Sequence, residues 1–173
     1  MIRVGMPAPN FTAEAYICGE ITTLSLDTLG ERWKVLVFYP LDFTFICPTE
    51  LRAFGREVEA FREVGAEVIA ISVDSVYSHK AWCERDLPEV RYPLISDITK
   101  QIARDYGVLD EQKGYTLRGT FIIDPAGIVQ YQVVSAENLG RSTGETLRSL
   151  QALQTGERCP VNWRPGEITL GKG

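Results

Sequence analysis

Two rhythms of apolar residues run through the chain. Near-continuous apolar runs at 35–39 and 67–73 have the length and make-up of strands covered on both faces. Between them Leu51, Phe54, Val58 and Phe61 recur at intervals of three, four and three. That spacing makes one apolar stripe on a helix over 49–63, and Gly65 ends it. Strand, helix, strand in this order predicts a parallel βαβ unit with a right-handed crossover. Upstream, residues 11–17 and 21–26 flank Cys18-Gly19-Glu20 and predict a hairpin or irregular turn. Downstream, Asp74 and Ser75 stand where they would cap a helix over 76–85. Pro88 and Pro93 punctuate a loop, and 94–96 is a short strand. A short helix over 98–106 ends at Gly107, and 108–116 is polar and turn-rich. Residues 119–124 and 128–134 flank Pro125-Ala126-Gly127 and predict an antiparallel hairpin. A helix over 142–153 stops at Gly156, and the remainder has no periodicity and is expected to be extended. The order predicts a three-layer α/β fold, a mixed sheet with helices on both faces and an N-terminal hairpin.

Composition narrows the function classes. At 173 residues the chain is long enough for one sizeable core. A hydrophobic fraction of 45% and a charged fraction of 24% are those of a soluble globular domain. The net charge of −5 gives no support for binding nucleic acid or an anionic membrane surface. No apolar run approaches the length of a membrane span, and the first ten residues lack the apolar core of a signal peptide. A cytoplasmic location is expected. Cysteines 18, 47, 83 and 159 are scattered, with no CxxC pair and no zinc-ligand cluster. In a reducing compartment a disulfide between two of them would be transient and catalytic rather than structural.

The chemistry concentrates in residues 38–51, FYPLDFTFICPTEL. This stretch carries Cys47 from the end of a strand to the start of a helix. First-turn N–H groups have no partner inside a helix, and with the helix dipole they favour a thiolate over a thiol. Pro48 suits the first turn, which does not need its missing N–H. Thr44 places a hydroxyl three residues before the sulfur, and Pro40 could wall one side of a pocket. Read without context, a free cysteine is most simply a small buried hydrophobe.

The spacing Pro40-x3-Thr44-x2-Cys47 resembles the active-site loop of the peroxiredoxins, and FTFICPTE resembles the typical two-cysteine branch, alkyl hydroperoxide reductase C-like. The resemblance covers nearly the whole chain and implies the thioredoxin-like fold. It implies a thiol peroxidase that reduces hydrogen peroxide and organic hydroperoxides, without a cofactor or metal. The segment RGTFIID resembles the one that supplies the family's active-site arginine, which assigns that role to Arg118. Taken alone, Arg118 would be a strand-edge residue in a surface pair. Arg52, one turn into the helix, is a weaker candidate. Glu50 resembles the family's active-site glutamate and is also an ordinary first-turn helix acid. ERCPVNWRPGE resembles the segment bearing the resolving cysteine, which implies that a Cys47 sulfenic acid is resolved as a disulfide with Cys159 of a second subunit. A homodimer follows, with a ring of dimers as an extension, and thioredoxin or a dedicated flavoprotein reductase as the recycling partner. Spacing alone does not separate pairing between chains from pairing within one. The expected division is a peroxidase domain at 1–155 and a tail at 156–173. Residues 87–90 read LPEV where the better-known animal members carry a Gly-Gly-Leu-Gly insertion, and no Tyr-Phe pair follows Trp163. The resemblance then implies resistance to over-oxidation.

Three other readings compete. A cysteine hydrolase would need His79, the one histidine of the chain, beside Cys47 as its base. A holdase chaperone or binding module on a thioredoxin fold would leave the cysteines incidental, so Cys47→Ser would change nothing. A disulfide oxidoreductase normally needs CxxC. His79 and Cys83 share a helix face at i, i+4, but no further ligand is near for a metal. His79 is otherwise a surface or satisfied helix residue, and Cys83, beside Trp82, is expected to pack at a contact surface. Cys18 receives no role.

Overall fold

The computed structural model describes residues 2–173. They form two compact units, one running to Arg141 and the other from Ser142 to Gly173. In the second unit the last helix groups with the tail.

The first unit is built on a seven-stranded mixed sheet. Its strands are β1 (Thr12–Ile17), β2 (Glu20–Ser25), β3 (Trp33–Phe38), β4 (Ala66–Ser72), β5 (Leu94–Ser96), β8 (Arg118–Ile123) and β9 (Val129–Ser135). Two further strands, β6 (Leu109–Asp110) and β7 (Tyr115–Thr116), make a separate small ladder. The sheet order is β2-β1-β5-β4-β3-β8-β9. β3 and β4 are parallel, as the strand-helix-strand pattern requires, and β8 lies antiparallel to β3 with Val37 opposite Thr120. The N-terminal hairpin joins the sheet where β1 pairs antiparallel with β5.

Helix α1 (Cys47–Glu63) connects β3 to β4, and α2 (Val76–Asp86) connects β4 to β5. Successive strand residues face opposite sides. Leu36, Phe38, Ile69, Ile71, Phe121 and Ile123 share one core with Ile102 and Ala103 of α3 (Gln101–Asp105). Val35, Val37, Val68, Ala70 and Ile122 point the other way and are equally buried. There α1 packs on β4 with Leu51, Phe54, Val58 and Phe61 inward. Fully burying Phe54 and Phe61 contributes about 1.5–3 kcal/mol each. The helices therefore cover both faces, and the fold is the expected thioredoxin-like α/β arrangement.

Several local expectations change. The helix over 98–106 shrinks to α3 because Asp97 accepts from the N–H groups of Ile102 and Ala103, and Lys100 just ahead is left-handed at φ +63. Ser75 alone caps α2, accepting from Ser78 N; Asp74 turns its carboxylate to Asp42 N and Ser72 Oγ instead. Cys83 is buried within the chain's own core. The polar stretch 108–116 contains the β6–β7 ladder.

In the second unit, α4 (Thr143–Gln154) starts at Ser142, whose hydroxyl accepts from Glu145 N at 3.1 Å. The residues after it are not extended. Arg158 N donates to Gly171 O and Leu170 N to Arg158 O, which closes the segment on itself. Trp163 Nε1 fastens its turn by donating to Glu167 O at 3.0 Å.

Candidate active site

β3 is fully buried from Val35 to Phe38, and the chain leaves it through Pro40 to reach Cys47 at the start of α1. No side chain caps this helix; Ile46 precedes it and Pro48 occupies its first turn. Thr49 N and Glu50 N turn back to Ile46 O at 2.9 and 3.2 Å and Pro48 has no N–H, so the first-turn donor left beside the sulfur is that of Cys47 itself. Cys47 is 1% exposed and unpaired.

Arg118 opens β8, and the antiparallel register with β3 brings it to the end where β3 hands over to α1. Its Nη1 lies 3.5 Å from Cys47 Sγ and donates to Glu50 Oε2 at 2.7 Å. Its Nε donates to Glu137 O at 2.7 Å, which fixes the plane of the guanidinium. Glu50 comes from the first turn of α1 and is 3% exposed. Burial alone would push its carboxyl up. The hydrogen bonds and charge of Arg141, with Arg118 behind them, outweigh that and hold it below its ordinary range. This buried group contains two guanidinium cations and one carboxylate. It therefore carries a net positive charge beside the Cys47 sulfur.

Thr44 Oγ1 donates to Leu41 O at 2.8 Å, so its lone pairs are what it offers the pocket. Pro40, Thr44, Cys47, Tyr115 and Arg118 line a cavity of about 290 Å³. Of the residues singled out from sequence, Pro40, Thr44, Cys47, Glu50 and Arg118 converge here. Cys159 belongs to the second unit, where its sulfur lies 3.4 Å from Thr155 Oγ1 and 3.6 Å from Ala152 O. Arg52 is not an active-site cation: it donates to Asp86 O at 2.6 Å and lies near Glu89. His79 is not a base for Cys47, because its ring nitrogens face Asp42 and Ile95 O. Arg141 and Glu137 were not legible beforehand. The only hint was a charged pair flanking the short polar stretch between β9 and the N-cap serine of α4.

A buried thiol at an uncapped helix start, with a guanidinium on it and a thioredoxin-like sheet beneath, defines a thiol-based oxidoreductase. Comparison with known proteins names the class. The AhpC/TSA family model matches residues 4–132, and the chain belongs to that family, the family of the peroxiredoxins. It is 48% identical to the chloroplastic 2-cysteine peroxiredoxin of Chattonella marina var. antiqua, across 98% of this chain and 92% of the relative. It is 46% identical to the chloroplastic 2-Cys peroxiredoxin BAS1 of Hordeum vulgare, across 96% and 84%. The crystal structure of reduced Plasmodium vivax 2-Cys peroxiredoxin superposes with a TM-score of 0.92 at 39% identity, covering 96% of this chain and 91% of that one. The protein is a thiol-dependent peroxidase.

Proposed function

We propose that Cys47 is the sulfur that peroxides oxidise, that Thr44 and Arg118 position and activate the peroxide, and that Cys159 resolves the product. The observation that carries this reading is the Arg118 Nη1 shared between Cys47 Sγ at 3.5 Å and Glu50 Oε2 at 2.7 Å. The thiolate attacks the nearer peroxide oxygen; an S–O bond forms as the O–O bond breaks. Negative charge grows on the departing oxygen, which Arg118 faces, and that oxygen leaves with a proton as water or an alcohol. Thr44, with its hydrogen committed to Leu41 O, accepts a hydrogen bond from the peroxide O–H. The Cys47 N–H donates to the attacked oxygen, Pro40 walls the pocket, and Glu50 holds Arg118 in place.

Cys47 is left as a sulfenic acid. The Cys159 thiol condenses with it, forming an S–S bond and releasing water. The first turn of α1 opens for this, since the two Cα atoms must come within about 7 Å. We assign the peroxidase domain to 1–155 and the resolving segment to 156–173. Pairing between two copies makes the homodimer the working unit, and a ring of dimers is its proposed assembly. A dithiol reductant, thioredoxin or a flavoprotein disulfide reductase, then returns both thiols and becomes a disulfide itself. A reducing cytoplasm suits such a cycle. A non-reducing gel after one equivalent of peroxide tests the scheme. A covalent dimer is expected, absent in both Cys47→Ser and Cys159→Ser. A dimer that persists in Cys47→Ser, or no dimer in the parent protein, overturns it.

A further inference from the structure

The segment between β3 and α1 is bent in a way that its own residues resist. Phe43 has φ +55, the left-handed region that aromatic residues rarely enter. The bend is held from outside, through Asp42. Its backbone N donates to Asp74 Oδ2 at 2.9 Å, and its Oδ1 accepts from Tyr39 Oη at 2.7 Å. Its Oδ2 lies 2.8 Å from His79 Nδ1, with side chains 1% and 0% exposed. His79 Nε2 is 3.1 Å from the Ile95 carbonyl, which only accepts, so Nε2 carries a hydrogen. The Phe43 ring rests 5.6 Å from Trp82 of α2, and the Arg85 guanidinium stands 4.8 Å from its centroid. Residues 42 and 43 are thus gripped by α2 and by the ends of β4 and β5. The pocket-lining residues Pro40, Leu41 and Thr44 lie on either side of the grip.

A buried polar pair of this kind adds little to stability over a well-packed apolar pair; what it can do is select one conformation. From this we infer that His79 and Asp42 are positioning residues for peroxide reduction. They hold the 40–46 loop so that Pro40 and Thr44 face Cys47, while touching neither sulfur nor peroxide. The inference rests on the reading of Cys47 as the oxidised thiol.

Two reactions at the same sulfur test it. Peroxide reduction needs the loop in register; alkylation by iodoacetamide needs an ionised, reachable sulfur but no Thr44. Both are followed at the Cys47 peptide by mass spectrometry, in His79→Gln, Asp42→Asn and Tyr39→Phe. In His79→Gln and Asp42→Asn the hydrogen peroxide rate constant is expected to fall about ten-fold or more. Alkylation should change less than about three-fold. Tyr39→Phe, which removes one hydroxyl, should show a smaller fall of the same kind. An unchanged peroxide constant, or an equal fall in both reactions, overturns the inference. Should His79→Gln fail to fold by circular dichroism, the same two rates in Asp42→Asn and Tyr39→Phe decide. A parent protein that consumes no more peroxide than Cys47→Ser would instead refute the peroxidase reading itself.

Discussion

Glu50 and Arg141 meet through three hydrogen bonds, from the Arg141 backbone N and Nε to Oε1 at 2.8 and 2.9 Å and from Nη2 to Oε2 at 2.9 Å. Arg118 shares Oε2 at 2.7 Å, so one carboxylate is paired with two buried cations. Arg141 Nη1 also donates to Gly119 O at 2.9 Å, tying the start of β8 to the chain beyond β9. Glu50→Gln leaves both guanidiniums uncompensated and is expected to cost on the order of 3 kcal/mol of stability. Urea unfolding of the reduced protein measures this; a midpoint equal to the parent's would mean that the ion pairs contribute nothing net.

The same carboxylate sets the acid limb of stability. Despite burial, Glu50 is held below its ordinary range by Arg141 and Arg118. Its contribution is complete above the unfolded value of about 4.3 and is lost as pH falls through the lower folded value. Asp74 and Asp97 act in the opposite sense, since burial raises both, and their penalty fades on acidification. Glu50→Gln removes only the first of these opposing contributions. Unfolding free energies measured between about pH 6 and pH 3 should start lower in the variant and converge with the parent at the acid end. Parallel curves would refute the assignment.

Much of this architecture was legible because the βαβ core is local. The stripe Leu51, Phe54, Val58 and Phe61 lies within one helix, and residues 35–39 and 67–73 are near-continuously apolar, so pattern alone fixes strand, helix and parallel pairing. The Pro40, Thr44 and Cys47 spacing was legible for the same reason. What pattern could not reach were partners chosen across the fold. Arg141 reaches Glu50 only because β9 returns the chain to that end of the sheet. Asp42 finds His79 only because α2 crosses above the loop. Polar residues carry no periodicity that reports such meetings. The closed tail escaped notice because its hydrogen bonds pair Arg158 with Gly171, across a stretch that contains two prolines and no apolar repeat.

In the proposed reaction Arg118 is the donor aimed at developing charge, so its loss should be felt in rate before stability. Arg118→Met is expected to lower kcat/KM for peroxide by about 10²–10³, the usual cost of removing one such donor. Arg118→Lys should recover only part, because an ammonium cannot face Cys47, Glu50 and the Glu137 carbonyl with one planar fork. Stopped-flow peroxide kinetics decide; a lysine variant as fast as the parent would mean that charge alone suffices.

The remaining cysteines should separate cleanly in a labelling experiment. Burial pushes the Cys83 thiol up to about 12, and only 6% of the residue is exposed. Cys18 lies exposed at the β1–β2 turn. Brief alkylation of the native reduced protein near pH 8, where little of a thiol so shifted is ionised, should modify Cys18 and spare Cys83 until denaturant is added. Peptide mapping reads both sites at once. Rapid native modification of Cys83 would show that the helix α2 face opens to solvent.

Gly55 makes the last prediction, because it sets how closely α1 is braced. A Cβ built there would lie 2.4 Å from Glu89 O and 2.8 Å from its carbonyl carbon. The short 87–90 segment therefore rests against the helix where only a glycine fits. Arg52 donates to Asp86 O at 2.6 Å and Arg62 to Arg91 O at 2.8 Å, fastening the segment on either side. Gly55→Ala gains helix propensity of about 1 kcal/mol, but the clash is with backbone that cannot swing aside. Overpacking of this kind costs about 1–3 kcal/mol, so the net change is expected to be destabilising. The displaced segment should also loosen the helix that carries Cys47 at its start. Hydrogen exchange across 47–63, compared with thermal unfolding, measures both effects. A stabilised Gly55→Ala, with exchange unchanged, would show that the 87–90 turn yields freely and does not brace α1.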